Sequence, residues 1–214
     1  MTTRLYQSVV SIGSQCATSV MLQNADLKRF SGPFDWIFSN LRMVCDCIED
    51  DFATFLDPSQ IIAIPSETRT MADAQFAHHD HYRRRYNIHA IFNHSDPTLP
   101  EVYAYLQRCV ARFRALLAAD RPQLLVALSR RDQGGSYAFN RLCDLLKTKP
   151  NIEICVLIVR ETGEHRSIDL WEERGPNRLF NLHCTSPLAG IHFEAAEDNH
   201  FVVETLRSLA QIEE

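Results

Sequence analysis

The run Ser11-Ile12-Gly13-Ser14-Gln15-Cys16 places a hydroxyl and a thiol two residues apart, directly after the apolar pair Val9-Val10. This spacing predicts a strand-to-helix turn. Gly13 permits a tight turn, and Ser14 is a good N-cap for the helix that follows. Cys16 then falls in the first helical turn, where free N–H groups and the helix dipole favour thiolate over thiol. A thiolate there would attack a carbonyl carbon, and backbone N–H groups near residues 14–16 would hold the oxyanion. The competing reading is that Cys16 packs as a small buried residue and Ser14 only caps.

Such a nucleophile needs a base within about 3 Å, or within reach through one water. Nine histidines are available. His78 and His79 lie in an irregular stretch able to fold over the same edge. His192 and His200 follow the last strand and could also reach it, whereas His183 sits within a strand. Asp35, in Pro33-Phe34-Asp35-Trp36, could orient a histidine as a third catalytic member. The flanking aromatics favour a different role, in which they anchor the loop and Asp35 caps the next helix. His78, His79, Asp80 and His81 are metal-ligand types. Adjacent ligands rarely converge on one ion without a further residue, so no metal and no cofactor is expected.

A second candidate site is Gln133-Gly134-Gly135-Ser136, between a strand and a helix, with Arg130 and Arg131 nearby. Glycines at a helix N-terminus suit a phosphate or carboxylate. The run matches neither dinucleotide nor P-loop spacing, and a flexible turn is the simpler reading.

These groups need a scaffold. Gln7–Ile12 reads as a strand, about 16–24 as a helix and about 40–50 as another. Residues 51–100 are punctuated by four prolines and read as an insertion or lid with short strands such as Ile61–Ile64. Glu101–Ala119 carries Val102, Leu106, Cys109, Val110 and Phe113 on one helical stripe. Strands then alternate with helices: Gln123–Leu128, Gly135–Thr148, Ile152–Val159, Leu179–His183 and Asn199–Gln211. That alternation predicts one α/β domain over residues 1–214, with a mainly parallel sheet covered on both faces in a three-layer arrangement. Its carboxyl edge, where ligands collect, holds residues 13–16.

The chain has 214 residues, 45% hydrophobic and 23% charged, enough for a full core. The net charge of −5 disfavours nucleic acid and anionic membranes as partners, despite Arg83-Arg84-Arg85. Seven cysteines, an odd number, with no secretory pattern at Met1-Thr2-Thr3-Arg4, point to reduced thiols and a cytoplasmic setting. Nothing in the pattern specifies an oligomeric state.

The motifs Gly13-Ser14-Gln15-Cys16, then Leu27, then Ser31-Gly32-Pro33-Phe34-Asp35-Trp36 resemble a bacterial and viral family known as putative papain-like cysteine peptidase. Phe76-Ala77-His78-His79 is similar to its F-x-H-D element, with His79 where aspartate usually stands. Arg112-Phe113 is similar to the end of its basic helix. The resemblance implies Cys16 as nucleophile and His78 or His79 as base. The strand-first topology resembles flavodoxin-like hydrolases of the GDSL esterase type instead, which would bring His200 of Asp198-Asn199-His200 into play. The expected function is therefore a cysteine hydrolase or acyltransferase acting on a small-molecule or peptide/acyl substrate. The alternative is a non-catalytic module binding an anionic ligand such as a sugar nucleotide or glycan precursor.

Overall fold

The computed structural model describes residues 4–71, 73–130, 135–161 and 163–213. Among them the chain runs β1 (Arg4–Tyr6), β2 (Ser8–Ser11), α1 (Cys16–Asn24), α2 (Leu41–Glu49), β3 (Ile61–Ala63), β4 (Ala77–His79), α3 (Asp80–Tyr86) and α4 (Pro100–Leu117). It continues with β5 (Gln123–Arg130), α5 (Gly135–Leu146), β6 (Ile152–Arg160), β7 (Ser167–Arg174), β8 (Asn177–His183), β9 (Leu188–Ala189), β10 (His192–Phe193), α6 (Ala196–Leu209) and β11 (Ala210–Ile212).

The central sheet has five strands in the order β2-β5-β6-β8-β7. β2, β5, β6 and β8 are parallel, and β7 joins β8 as an antiparallel edge. The protein is thus mixed α/β with a mainly parallel sheet. The apolar runs Leu124–Leu128 and Ile154–Val159 are buried on both faces, as parallel central strands require. Alternate residues feed two cores. Leu125, Ala127, Ile154 and Val156 pack with α2, α4, α5 and residues from 51–100. Leu124, Val126, Cys155 and Leu157 pack with α1 and α6. Helical stripes at 3.6-residue spacing meet strand faces at spacing 2, so each face is closed by its own set of helices.

Residues 51–100 contribute substantially to the first core. Phe52, Phe55, Tyr82, Ile91 and Phe92 are all buried there. Phe34 packs on Phe52, Phe55 and Phe113 with ring centroids 5.8, 6.2 and 5.7 Å away. β3 pairs antiparallel with β4, which places His78 opposite Ile62.

The chain's last helix stops earlier than its periodicity suggests. Ala210 is already extended, and β11 pairs in parallel with β1. No helix among the described residues is long and apolar enough to cross a membrane.

Candidate functional site

The strand-to-helix turn lies at the carboxyl end of β2, and its polar groups extend a sheet that β2 itself has left. β5 runs on past Ser11, and its Leu128 would lack a partner. Thr18 Oγ1 accepts the Leu128 N–H at 3.0 Å, and Ser14 Oγ donates to the Leu128 carbonyl at 3.0 Å. Two hydroxyls therefore replace the missing strand, as buried backbone groups demand. This corrects the reading of Ser14 as an N-cap: Gln15 occupies that position and makes no side-chain capping bond. Gly13 is required by closeness rather than by φ. A Cβ built there would sit 1.9 Å from Thr18 Oγ1.

The turn's other groups are held by the start of α2. Ser39 Oγ donates to the Gly13 carbonyl at 2.6 Å, and the Ser39 N–H donates to the Ser14 carbonyl at 3.0 Å. Asn40 caps α2 by accepting the Met43 N–H at 2.9 Å. The N-termini of α1 and α2 are thereby locked side by side. Among the described residues the N–H groups of Ser14, Gln15 and Asn40 have no acceptor.

A cleft of about 580 Å³ opens at this junction. Ser14, Gln15, Ser39 and Asn40 line it from the two helix starts. Arg42, Arg84, Arg85 and His89 line it with Phe38 and Tyr86, and no carboxylate lines it among the described residues. Arg84 pairs with Asp80 at 2.6 Å and Arg85 with Asp46 at 2.9 Å, both outside the lining. Arg42 is exposed and has no ion pair among the described residues. In a chain of net charge −5, this is a local concentration of positive charge. Sequence reading missed Arg42 because it sits on a helix whose spacing carries only a core signal.

Cys16 opens α1 as expected, but the residue is only 3% exposed. Burial pushes its thiol up to about 11, and the charge of Asp35 adds to this, while its own backbone N–H acts in the opposite direction. In this closed arrangement desolvation outweighs the helix terminus and favours the thiol over the thiolate. No histidine is hydrogen-bonded to Cys16 among the described residues.

His78 and His79 are committed elsewhere. His79 is fully buried, its Nε2 lies 3.1 Å from the Thr54 carbonyl, and its ring stacks 6.3 Å from Phe55. Desolvation keeps it below the usual histidine value. His78 Nδ1 accepts the Ala90 N–H at 2.9 Å. His200 is exposed on α6, and its neighbour Asp198 is buried under Arg166, Thr185 and Ser186.

Asp35 forms the centre of a buried cluster, not a helix cap. It accepts from Lys28 Nζ and, at 2.8 Å, from the Gly32 N–H. Lys28 also donates to Ser19 Oγ at 2.7 Å and lies 5.0 Å over the Trp36 ring. Arg112 Nη2 donates to the Ser31 carbonyl at 2.9 Å and to Cys109 Sγ at 3.1 Å. Burial raises the Asp35 carboxyl, opposed by Lys28 and the Gly32 N–H. The motif Ser31–Trp36 therefore ties α1, the following loop and α4 together beneath the turn.

At the second candidate site, Arg131 and Gly134 lie outside the described residues. Arg130 pairs with Glu161 at 3.4 Å. Gly135 starts α5, where a Cβ would approach Ile158 Cδ1 to 2.8 Å. Ser136 Oγ donates to Glu172 Oε2 at 2.6 Å, so a carboxylate already occupies that hydroxyl.

All seven cysteines are buried. Treated with a thiol reagent at neutral pH, the folded protein should therefore show no fast-reacting cysteine, and seven should appear on denaturation. One fast thiol, lost in Cys16→Ala, would contradict this. Cys16, Cys143 and Cys155 are raised to about 11, about 11 and about 12. A raised folded value stabilises below the unfolded value and is lost as pH rises through it. Stability should thus fall as pH climbs from about 9 toward 12, seen as a declining Tm.

The fold and cleft define a mixed α/β protein with a polar, basic site at the carboxyl edge of its first sheet strand. The chain belongs to the family described as "putative papain-like cysteine peptidase", which it matches over residues 7–149. An uncharacterised protein of Acanthamoeba polyphaga mimivirus is 40% identical over 53 residues, 24% of each chain. The chain thus spans about a quarter of that relative's length. No solved structure matches it.

Proposed function

We propose that the chain recognises an anionic group, a phosphate or carboxylate of a small-molecule or peptide substrate, in the cleft between the starts of α1 and α2. One observation carries this reading: among the described residues, the cleft combines Arg42, Arg84 and Arg85 with the unpaired N–H groups of Ser14, Gln15 and Asn40, and no lining carboxylate. Guanidinium groups and helix starts act on the same sign of charge, and charge-assisted bonds to both are the strong ones. Phe38 and Tyr86 offer apolar and aromatic surface for the rest of the ligand.

Calorimetric titration with sulfate is the test. Sulfate is a dianion across the working pH range, so its own protonation does not enter. Arg42→Gln should weaken binding about tenfold, the worth of one charge-assisted hydrogen bond. Cys16→Ser should leave it unchanged. Equal affinity in Arg42→Gln would sink the reading.

The family description favours a second reading, thiol chemistry by Cys16 on a peptide or acyl bond. It requires an opening of the first turn of α1 that brings a base to the thiol. Labelling of Cys16 by a peptide-based electrophile at neutral pH, absent in Cys16→Ala, would establish it.

A further inference from the structure

The wall of the cleft opposite α2 is a short segment in an uncommon backbone conformation. Asn87 has φ 55° and Ala90 has φ 47°, two left-handed non-glycine residues within four. Asparagine tolerates this region, and Asn87 closes α3 through its N–H to the Arg83 carbonyl at 2.9 Å. Ala90 has no such excuse, because its Cβ makes the conformation unfavourable. Such strain persists only where the surroundings over-determine it. Here the holding contact is a side chain: His78 Nδ1 accepts the Ala90 N–H at 2.9 Å. Ile91 then continues the restraint, its carbonyl accepting the Phe38 N–H at 2.9 Å. Between the Asn87 cap and the Ala90 anchor lie Ile88 and His89, which line the cleft together with Asn87.

We propose that His78 is a positioning residue for the cleft: as a neutral ring it accepts the Ala90 N–H and holds residues 87–90 as the cleft wall, and its protonation releases that wall. An imidazolium has no acceptor nitrogen, so Nδ1–H would face the Ala90 N–H, donor against donor. The charged groups around His78 are Arg83 and Asp80 from α3 and His89 from the segment itself, whose ring centroid is 6.0 Å away. β3, paired beside it, contributes only Ile61, Ile62 and Ala63. Desolvation first, then Arg83 and His89, disfavour the charged form, and Asp80 opposes them. The neutral, accepting ring is therefore the state at neutral pH. A histidine lowered in this way keeps its contact above its folded value and loses it as pH falls through that value.

The conformational claim stands on these contacts alone, whereas its consequence for ligands rests on the anion-binding reading above. The two are separated by measuring first the free protein. Amide exchange at Ala90, corrected for intrinsic rates, should show protection at neutral pH that drops at least tenfold by about pH 4.5. His78→Asn supplies an amide oxygen that accepts at every pH in this range, and should keep Ala90 protected at both values. His78→Phe removes the acceptor and should leave Ala90 unprotected at both. Equal protection of wild type at the two pH values, or a protected Ala90 in His78→Phe, would overturn the proposal. The second arm is sulfate affinity. Added positive charge on His78 would by itself tighten sulfate at acid pH. The released wall should instead weaken it, and His78→Asn should abolish that weakening. A normal Ala90 response with no sulfate binding at any pH would refute the cleft reading and leave the positioning role standing.

Discussion

Replacing Asp35 with alanine destabilises the protein by about 3–5 kcal/mol, because it strands the Lys28 ammonium inside the fold. Lys28 and Asp35 side chains are 6% and 1% exposed, so neither charge has water to fall back on. Only Ser19 Oγ and the Trp36 ring would be left to the ammonium. Lys28→Met should cost less than Asp35→Ala, since a lone buried carboxyl can take up a proton and burial already raises it. The pair Lys28→Met with Asp35→Asn should recover much of the loss. Asparagine keeps an oxygen for the Gly32 N–H, and no charge is then unpaired. Urea unfolding of Lys28→Met, Asp35→Asn and the double gives the coupling directly. A coupling of about 1–3 kcal/mol is expected, and strict additivity would show that the pair is not the centre of this cluster. A large coupling would mark Asp35 as a structural residue of the motif.

Gly13→Ala is the second large effect. A Cβ at Gly13 would lie 1.9 Å from Thr18 Oγ1 and 2.5 Å from Thr18 Cβ. The second of these atoms is fixed to the helix backbone and cannot swing away. Either the turn or α1 must move, and both moves pull Thr18 Oγ1 off the Leu128 N–H, a buried bond at 3.0 Å. Overpacking of this kind costs about 1–3 kcal/mol, and the stranded donor adds about 1–3 kcal/mol. Gly32→Ala is the internal control, since its Cβ would meet only Val10 Cγ1, at 3.2 Å. Thermal unfolding should rank Gly13→Ala well below Gly32→Ala. If the two variants melt together, the close approach of Thr18 does not explain the glycine.

The sheet was legible because its central strands carry a strong signal. Val126, Leu128, Leu157 and Val159 are buried on a sheet covered on both sides, and such strands are written as apolar runs. β7 escaped notice for the opposite reason. None of its eight residues is buried, so Ser167–Arg174 has no apolar face to betray it. α3 was missed because it is short and charged, with only Tyr82 buried. At the site, the turn at Gly13–Cys16 was legible from its position after a strand. What each side chain does there was not. Ser14, Thr18 and Ser39 satisfy backbone groups of Leu128, Gly13 and Ser14 that are distant in sequence, and no local pattern encodes such pairings. Likewise the reactivity of Cys16 depends on the depth of burial, which a helix-start position does not determine.

On the proposed reading, the ligand meets the protein at the junction of α1 and α2 and not at the Cys16 thiol. Amide chemical shifts followed through a sulfate titration test it most directly. Saturable shifts should concentrate at Ser14, Gln15, Asn40 and Arg42, with the same midpoint in Cys16→Ser and a weaker one in Arg42→Gln. Shifts scattered over the surface without saturation, or none at these four residues, would contradict it.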